Sequence, residues 1–216
     1  MTVGLDLGRA SVKLVRKHRS EFRSAEVAVD PALEGEARDQ AVSAALSQAR
    51  AELDLRKGAQ VHVAVPRATA IVKHLTLPAV DAKELPALLS FQASKVIPFD
   101  LSEMSLTWGA LGSDASGGQR YVLAAVRNKT LDELRKIVTD AGLVPGRLEV
   151  SSQAAARCVP ATAGEALLVD VGHATSDVLL LRDGGLLYSR SASVGLGTEG
   201  WAERLPQEVA RSLVAA

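Results

Sequence analysis

Val3-Gly4-Leu5-Asp6-Leu7-Gly8-Arg9-Ala10-Ser11 is an apolar strand broken by an acid, with a glycine two residues on and a short turn that ends in a hydroxyl. The same pattern returns as Leu168-Val169-Asp170-Val171-Gly172-His173-Ala174-Thr175-Ser176. In such a turn the glycine lets the backbone approach an anion, the turn amides and the hydroxyl donate to phosphate oxygens, and the acid can hold a metal through water. One Asp-x-Gly hairpin commonly binds nothing. Two copies are more informative, because each acid interrupts an apolar run in which an unpaired charge costs several kcal/mol unless a donor, water or metal satisfies it. The duplication predicts two facing halves with a nucleotide cleft between them.

Composition narrows the alternatives. Lys+Arg and Asp+Glu both number 25, so the formal net charge is zero and no overall field recruits nucleic acid or anionic lipid. Aromatic residues make up only 3%, which leaves few platforms for stacking bases. The single cysteine, Cys158, cannot form an internal disulfide and reads as a small core residue in an apolar helix. No apolar run approaches the roughly 18 to 20 residues that cross a bilayer, and the start lacks the layout of a signal peptide. Service at a membrane would therefore go through partners, without direct insertion.

Along the chain the fold class is α/β. Leu5 to Leu7, Ser11 to Arg16 and Ala25 to Val29 alternate as three strands of a meander. Arg38 to Leu53 then places Ala41, Val42, Ala45, Leu46, Ala49 and Leu53 on one helical face. Strands through Val61, Val63 and Val65 and from Ala70 to Leu77 follow, with His62 and His74 on their solvent sides and His18 at an exposed strand end. Asp81 with Glu84 makes a capping-box pattern ahead of a helix that runs to Ile97-Pro98, and Thr130 with Glu133 makes a second one ahead of a helix that ends at Gly142. Between these helices lie strands from Met104 to Leu111 and from Arg120 to Val126. The polar Gly112 to Gln119 stretch that joins them, Asp114 and Ser116 included, reads as a flexible turn, since it lacks the lysine and the strand-to-helix context of a Walker loop. A strand at Leu148 to Val150 and a helix from Ser151 to Val159 lead to a second meander: Ala166 to Val171, Ser176 to Arg182 and Leu186 to Val194. A last helix, Trp201 to Val214, should break or kink at Pro206.

The ordered set of motifs resembles the actin-like ATPases, and among them the family of the type IV pilus assembly protein PilM, relatives of the cell-division protein FtsA. The twin turns carry the likeness together with Leu77-Pro78, Val96-Ile97-Pro98-Phe99, Ala124-Ala125-Val126-Arg127-Asn128-Lys129, Ala141-Gly142-Leu143-Val144-Pro145 and Glu208-Val209-Ala210-Arg211-Ser212-Leu213. The resemblance implies an actin-like, ribonuclease H-like fold of duplicated mixed sheets with flanking helices. Residues 1–78 with 148–160 would form the first subdomain, 79–147 an inserted α+β interaction subdomain of the 1C type, and 161–216 an incomplete second subdomain.

The resemblance also implies ATP and Mg2+ in the cleft. Asp6 and Asp170 would hold the ion through water, with Gly8, Arg9, Ser11 and Lys13 on one side of the phosphates and Gly172, His173 and Thr175 on the other. Arg9 and Ala10 stand where the family's first turn usually carries small hydroxyl residues, His173 replaces a small residue in the second, and Lys13 is either a phosphate ligand or a solvated strand residue. The chain stops at Ala216, before the family's adenosine-binding segment, so the expectation is a truncated protein with lowered nucleotide affinity, or an open sheet edge covered by self-association or a partner.

The implied role is a cytoplasmic scaffold, peripheral to the inner membrane, that binds the tail of a PilN-like partner at the first subdomain and its insert. Phe91, Ile97 and Phe99 are either partner contacts or core of the insert. Two other readings are a nucleotide-free scaffold resembling the cytoplasmic domain of the secretion protein GspL, and a small-molecule kinase of the same superfold, for which no base is evident.

Overall fold

On the second strand Val12 and Leu14 are wholly buried while Lys13 and Val15 face outward, so one side of the opening meander is core and the other is not. In the computed structural model, which describes residues 1–113 and 117–215, this meander is β1 (Thr2–Leu7), β2 (Ser11–His18) and β3 (Glu21–Ala28). After it come α1 (Gly35–Glu52), β4 (Gln60–Val65), β5 (Ala70–Leu77), α2 (Leu85–Val96), β6 (Met104–Ser113), β7 (Gln119–Arg127), α3 (Asn128–Asp140) and β8 (Val144–Val150). The chain continues through α4 (Ser151–Ala156), β9 (Glu165–Val171), β10 (Ser176–Arg182), β11 (Gly185–Ala192) and α5 (Trp201–Val214). Two compact units result, Met1–Ala68 with Glu133–Ala216 and, separately, Thr69–Asp132.

The first unit holds two sheets. The larger has the order β3-β2-β1-β4-β8, with β1 antiparallel to β2 and parallel to β4. Helix α1 covers it because Val42, Ala45, Leu46 and Ala49 recur at helical spacing and are all buried, packed with Val3, Leu5, Val12, Leu14, Val61 and Val63. The C-terminal half of α3 adds Val138 to the same core. The smaller sheet, in the order β11-β10-β9, buries Leu179, Leu181 and Leu186 against Ala156 of α4. The two meanders repeat one another strand for strand. Asp6 pairs across the hairpin with Lys13, and Asp170 at the same place with Asp177.

The second unit is an antiparallel sheet in the order β5-β7-β6, with Ala93 and Ile97 from the α2 segment packed on Met104, Leu123 and Ala125. Here the boundary differs from the expected 79–147. Strand β5 pairs along its whole length with β7 and so belongs to this sheet, and the unit ends within α3. Alternation identifies a strand without saying which sheet it joins.

Other local expectations are corrected. Neither expected capping box sets a helix start: α2 starts at Leu85 after a turn in which the Asp81 carbonyl accepts from the Glu84 and Leu85 amides, and Thr130 lies inside α3, which opens at Asn128. Helix α4 ends at Ala156, so Cys158 falls in the following turn and is exposed. Helix α5 runs through Pro206 without a break and is tied to β11 by Arg190, which bonds Ser212 and pairs with Glu208. The expected turn residues Asp114 and Ser116 lie outside the described residues. His18, His62 and His74 are exposed, as expected.

Candidate functional site

The β1–β2 and β9–β10 turns close in the same way. The Gly8 amide donates to the Ser11 carbonyl at 2.9 Å, and the Gly172 amide donates to the Thr175 carbonyl at 2.9 Å. A Cβ at Gly8 would stand 2.9 Å from Ser11 O, and one at Gly172 2.8 Å from Thr175 O, so both turns require glycine for the same steric reason. Both line a single open cavity of about 680 Å³ in the first unit, into which Asp6, Gly8, Arg9, Ser11, Lys13, Asp170, Gly172, His173 and Thr175 all converge. Every residue expected at the site is therefore brought together. Among the described residues, the amides of Arg9, Ala10, His173 and Ala174 have no hydrogen-bond acceptor. Unpaired donors grouped in this way at an open cavity are free to donate to an anion.

The carboxylates give the cavity its other property. Burial pushes the Asp6 carboxyl up, Lys13 opposes the shift, and Asp170, Glu26 and Asp177 reinforce it. Burial likewise raises Asp177, opposed first by the neighbouring Ser191 hydroxyl, helped by Asp170, and opposed further by Arg67 and by Ser151, whose hydroxyl donates to Asp177 Oδ2 at 3.3 Å. Among the described residues no group of three carboxylates, imidazoles or thiolates converges tightly enough to hold an ion by itself. A cation here would be held largely through its waters at Asp6 and Asp170, the mode that suits Mg2+, and it would relieve the repulsion among the acids. The donor set fits the ion.

A folded-state pKa above the ordinary 3.8 means that the native protein binds the Asp6 proton more tightly than the unfolded chain does. The penalty is absent below 3.8 and complete above the raised value. Asp6→Asn is therefore expected to melt a few degrees above the parent at neutral pH without divalent cation, with the gap closing as the pH falls to the ordinary carboxyl value. Thermal melts across that range check this.

Several residues of the cavity carry no motif. Ser11 donates to Glu26 on β3 at 2.7 Å, and Lys13 lies 4.0 Å from the same carboxylate oxygen. Arg38, at the start of α1, reaches the carbonyls of Gly8 and Arg9. Arg67, just after β4, crosses to β11 of the other sheet, with Nε on Ser189 Oγ at 2.8 Å and Nη2 on the Ser189 carbonyl at 2.6 Å. Asp177 was accessible from the sequence: the repeat aligns it with Lys13. For Arg38 and Arg67 the sequence offers no such cue. Two of the departures from the turn pattern, Arg9 and His173, are also placed. Arg9 leans toward Glu34 at 3.7 Å, and the half-buried His173 ring lies against Gly197, whose added Cβ would meet Nε2 at 2.3 Å.

In the second unit Phe91 is 56% exposed and Phe99 42% exposed. Lys95 Nζ lies 4.0 Å from the Phe91 ring centre, and the Arg127 guanidinium lies 4.4 Å from that of Phe99. Of its two expected readings, Ile97 takes the core of the insert and not the partner contact. Its extended backbone at the end of α2 turns it into the core, where it is only 4% exposed.

Paired meanders with opposed Asp-x-Gly turns on one cavity, together with a separate inserted unit, define the actin-like ATPase fold. The family described as type IV pilus assembly protein PilM matches over residues 4–207, and the chain belongs to that family. Among solved structures, the chain is similar to one described as the PilM-PilN type IV pilus biogenesis complex: TM-score 0.75, 24% identity, 90% of this chain and 62% of that one covered. It thus spans less than two thirds of the length of that protein. It is also similar to the cytoplasmic domain of EpsL, an inner-membrane component of the Vibrio cholerae type II secretion system (0.61, 14% identity, 89% of this chain and 71% of that one). The ethanolamine utilization protein EutJ of Carboxydothermus hydrogenoformans is a third likeness (0.52, 15%, 90% and 52%). No curated protein sequence matches significantly. Among the described residues no helix is long and apolar enough to cross a membrane.

Proposed function

We propose that this chain is the part of a type IV pilus scaffold that binds Mg2+ and nucleotide phosphates in its cleft, and that it docks the cytoplasmic tail of a PilN-like inner-membrane partner. The observation that carries the first half is the set of unpaired amides in two sterically equivalent glycine turns beside Asp6 and Asp170. A hydrated Mg2+ would neutralise phosphate charge there. The turn amides and Lys13 would orient the phosphates, and binding would clamp the two sheets together. Family membership and the PilN of the similar complex support the second half, and Phe91 and Phe99 are its exposed apolar contacts.

Titration calorimetry with ATP and Mg2+ tests the cleft. Heat is expected in the parent and not in Asp6→Asn, whereas a silent parent overturns this half. Titration with the partner's tail peptide tests the docking, with at least a tenfold loss expected in Phe91→Ala. A second reading, a nucleotide-free scaffold, draws on Glu26: its carboxylate already engages the Ser11 hydroxyl that a phosphate would need.

A further inference from the structure

Both turns pin the same two peptide groups, by different means. In the second turn the carbonyls of Gly172 and His173 accept from the backbone amides of Leu196 and Gly197, at 2.9 and 2.8 Å. In the first turn the corresponding carbonyls of Gly8 and Arg9 accept from a side chain, Nη2 and Nη1 of Arg38, at 2.9 and 3.0 Å. A trans peptide points its N–H away from its C=O, so holding those carbonyls fixes the directions of the Arg9 and Ala10 amides. These are the first-turn donors that lack an acceptor.

We infer that Arg38 is a positioning residue for phosphate: its guanidinium does for the first turn what the 195–197 backbone does for the second, aiming the Arg9 and Ala10 amides at the anion. The inference rests on the phosphate reading of the cleft. The fork matters as well as the charge, because two adjacent carbonyls are spanned by two N–H groups of one plane, which a lysine ammonium cannot reproduce. Helix α1 supplies the rigidity, since Val42, Ala45, Leu46 and Ala49, on the turns that follow, are locked in the core. The Gly8 and Arg9 carbonyls are thus held by one side chain, beside the backbone bonds from Gly8 to Ser11 and from Val29 to Ala10.

Amide spectra of the 15N-labelled protein, with Mg2+ and tripolyphosphate titrated into the parent, Arg38→Ala and Arg38→Lys, test this. In the ligand-free variants the Arg9 and Ala10 signals should shift while those of His173 and Ala174 stay. Affinity should fall at least tenfold in both variants, and added guanidinium ion should restore Arg38→Ala. Unmoved Arg9 and Ala10 signals, or Arg38→Lys binding like the parent, would overturn the inference. Signals that move as expected in a protein whose parent binds no tripolyphosphate would instead overturn the phosphate reading. If Arg38→Ala loses its fold, Arg38→Lys carries the comparison alone.

Discussion

Gly195→Ala is expected to destabilise the protein by about 3 kcal/mol or more, read as a fall in the urea midpoint with the slope unchanged. A Cβ at this position would stand 2.5 Å from the carbonyl oxygens of Gly172 and His173 and 2.6 Å from the His173 carbonyl carbon. All three are backbone atoms of the second turn, so no rotamer change relieves the overlap and the strand end or the turn must move. Either movement lengthens the Leu196 and Gly197 hydrogen bonds that hold the turn. Gly197→Ala meets a softer obstacle, the His173 ring, which can swing away, and it should cost less. Gly4→Ala is the control. Nothing lies within 4 Å of its Cβ, and the change should stay within about 0.5 kcal/mol. A Gly195→Ala protein as stable as Gly4→Ala would show that the loop does not hold the turn.

What was legible in the sequence was whatever repeats or alternates. Buried Val12 and Leu14 against outward Lys13, the helical face from Val42 to Ala49, and the twin Asp-x-Gly turns follow from period and pattern alone, and the nine residues that the family resemblance added at those turns line one cavity. The allegiance of β5 was not legible, since register and partner strand are decided by tertiary packing. Nor was the end of α4, which exposes Cys158 where an apolar pattern predicted burial. Capping boxes failed where the helices started at other residues, because a side-chain cap is only one way to satisfy a first turn. Arg38 and Arg67 are long side chains whose targets lie 29 residues away or more, and no local spacing encodes such a reach.

Arg67→Ala is expected to cost about 3 kcal/mol, because it removes the cation from a half-buried network and leaves its acceptors in place. The Ser189 hydroxyl and carbonyl each lose a donor, and Asp177 loses the charge that opposes its desolvation. The backbone amide of Arg67 remains bonded to Ser151, at 3.0 Å, and Ser151 to Asp177, so the carboxylate stays held in place without its counter-charge. Asp177→Asn removes that charge and should rescue part of the loss. A double-mutant cycle of Arg67→Ala and Asp177→Asn by urea denaturation should therefore give a coupling of about 1 kcal/mol or more, the double variant being less damaged than the sum of the two changes. Strict additivity would show that Arg67 acts through Ser189 and packing and not through the Asp177 charge. Arg67→Lys sharpens the distinction: it keeps the charge near Asp177 but cannot span both Ser189 acceptors, so it should recover the electrostatic share and not the rest. Because Arg67 follows β4 of the larger sheet and Ser189 lies on β11 of the smaller one, the part that Arg67→Lys does not recover measures what this hydrogen-bonded link between the two sheets contributes.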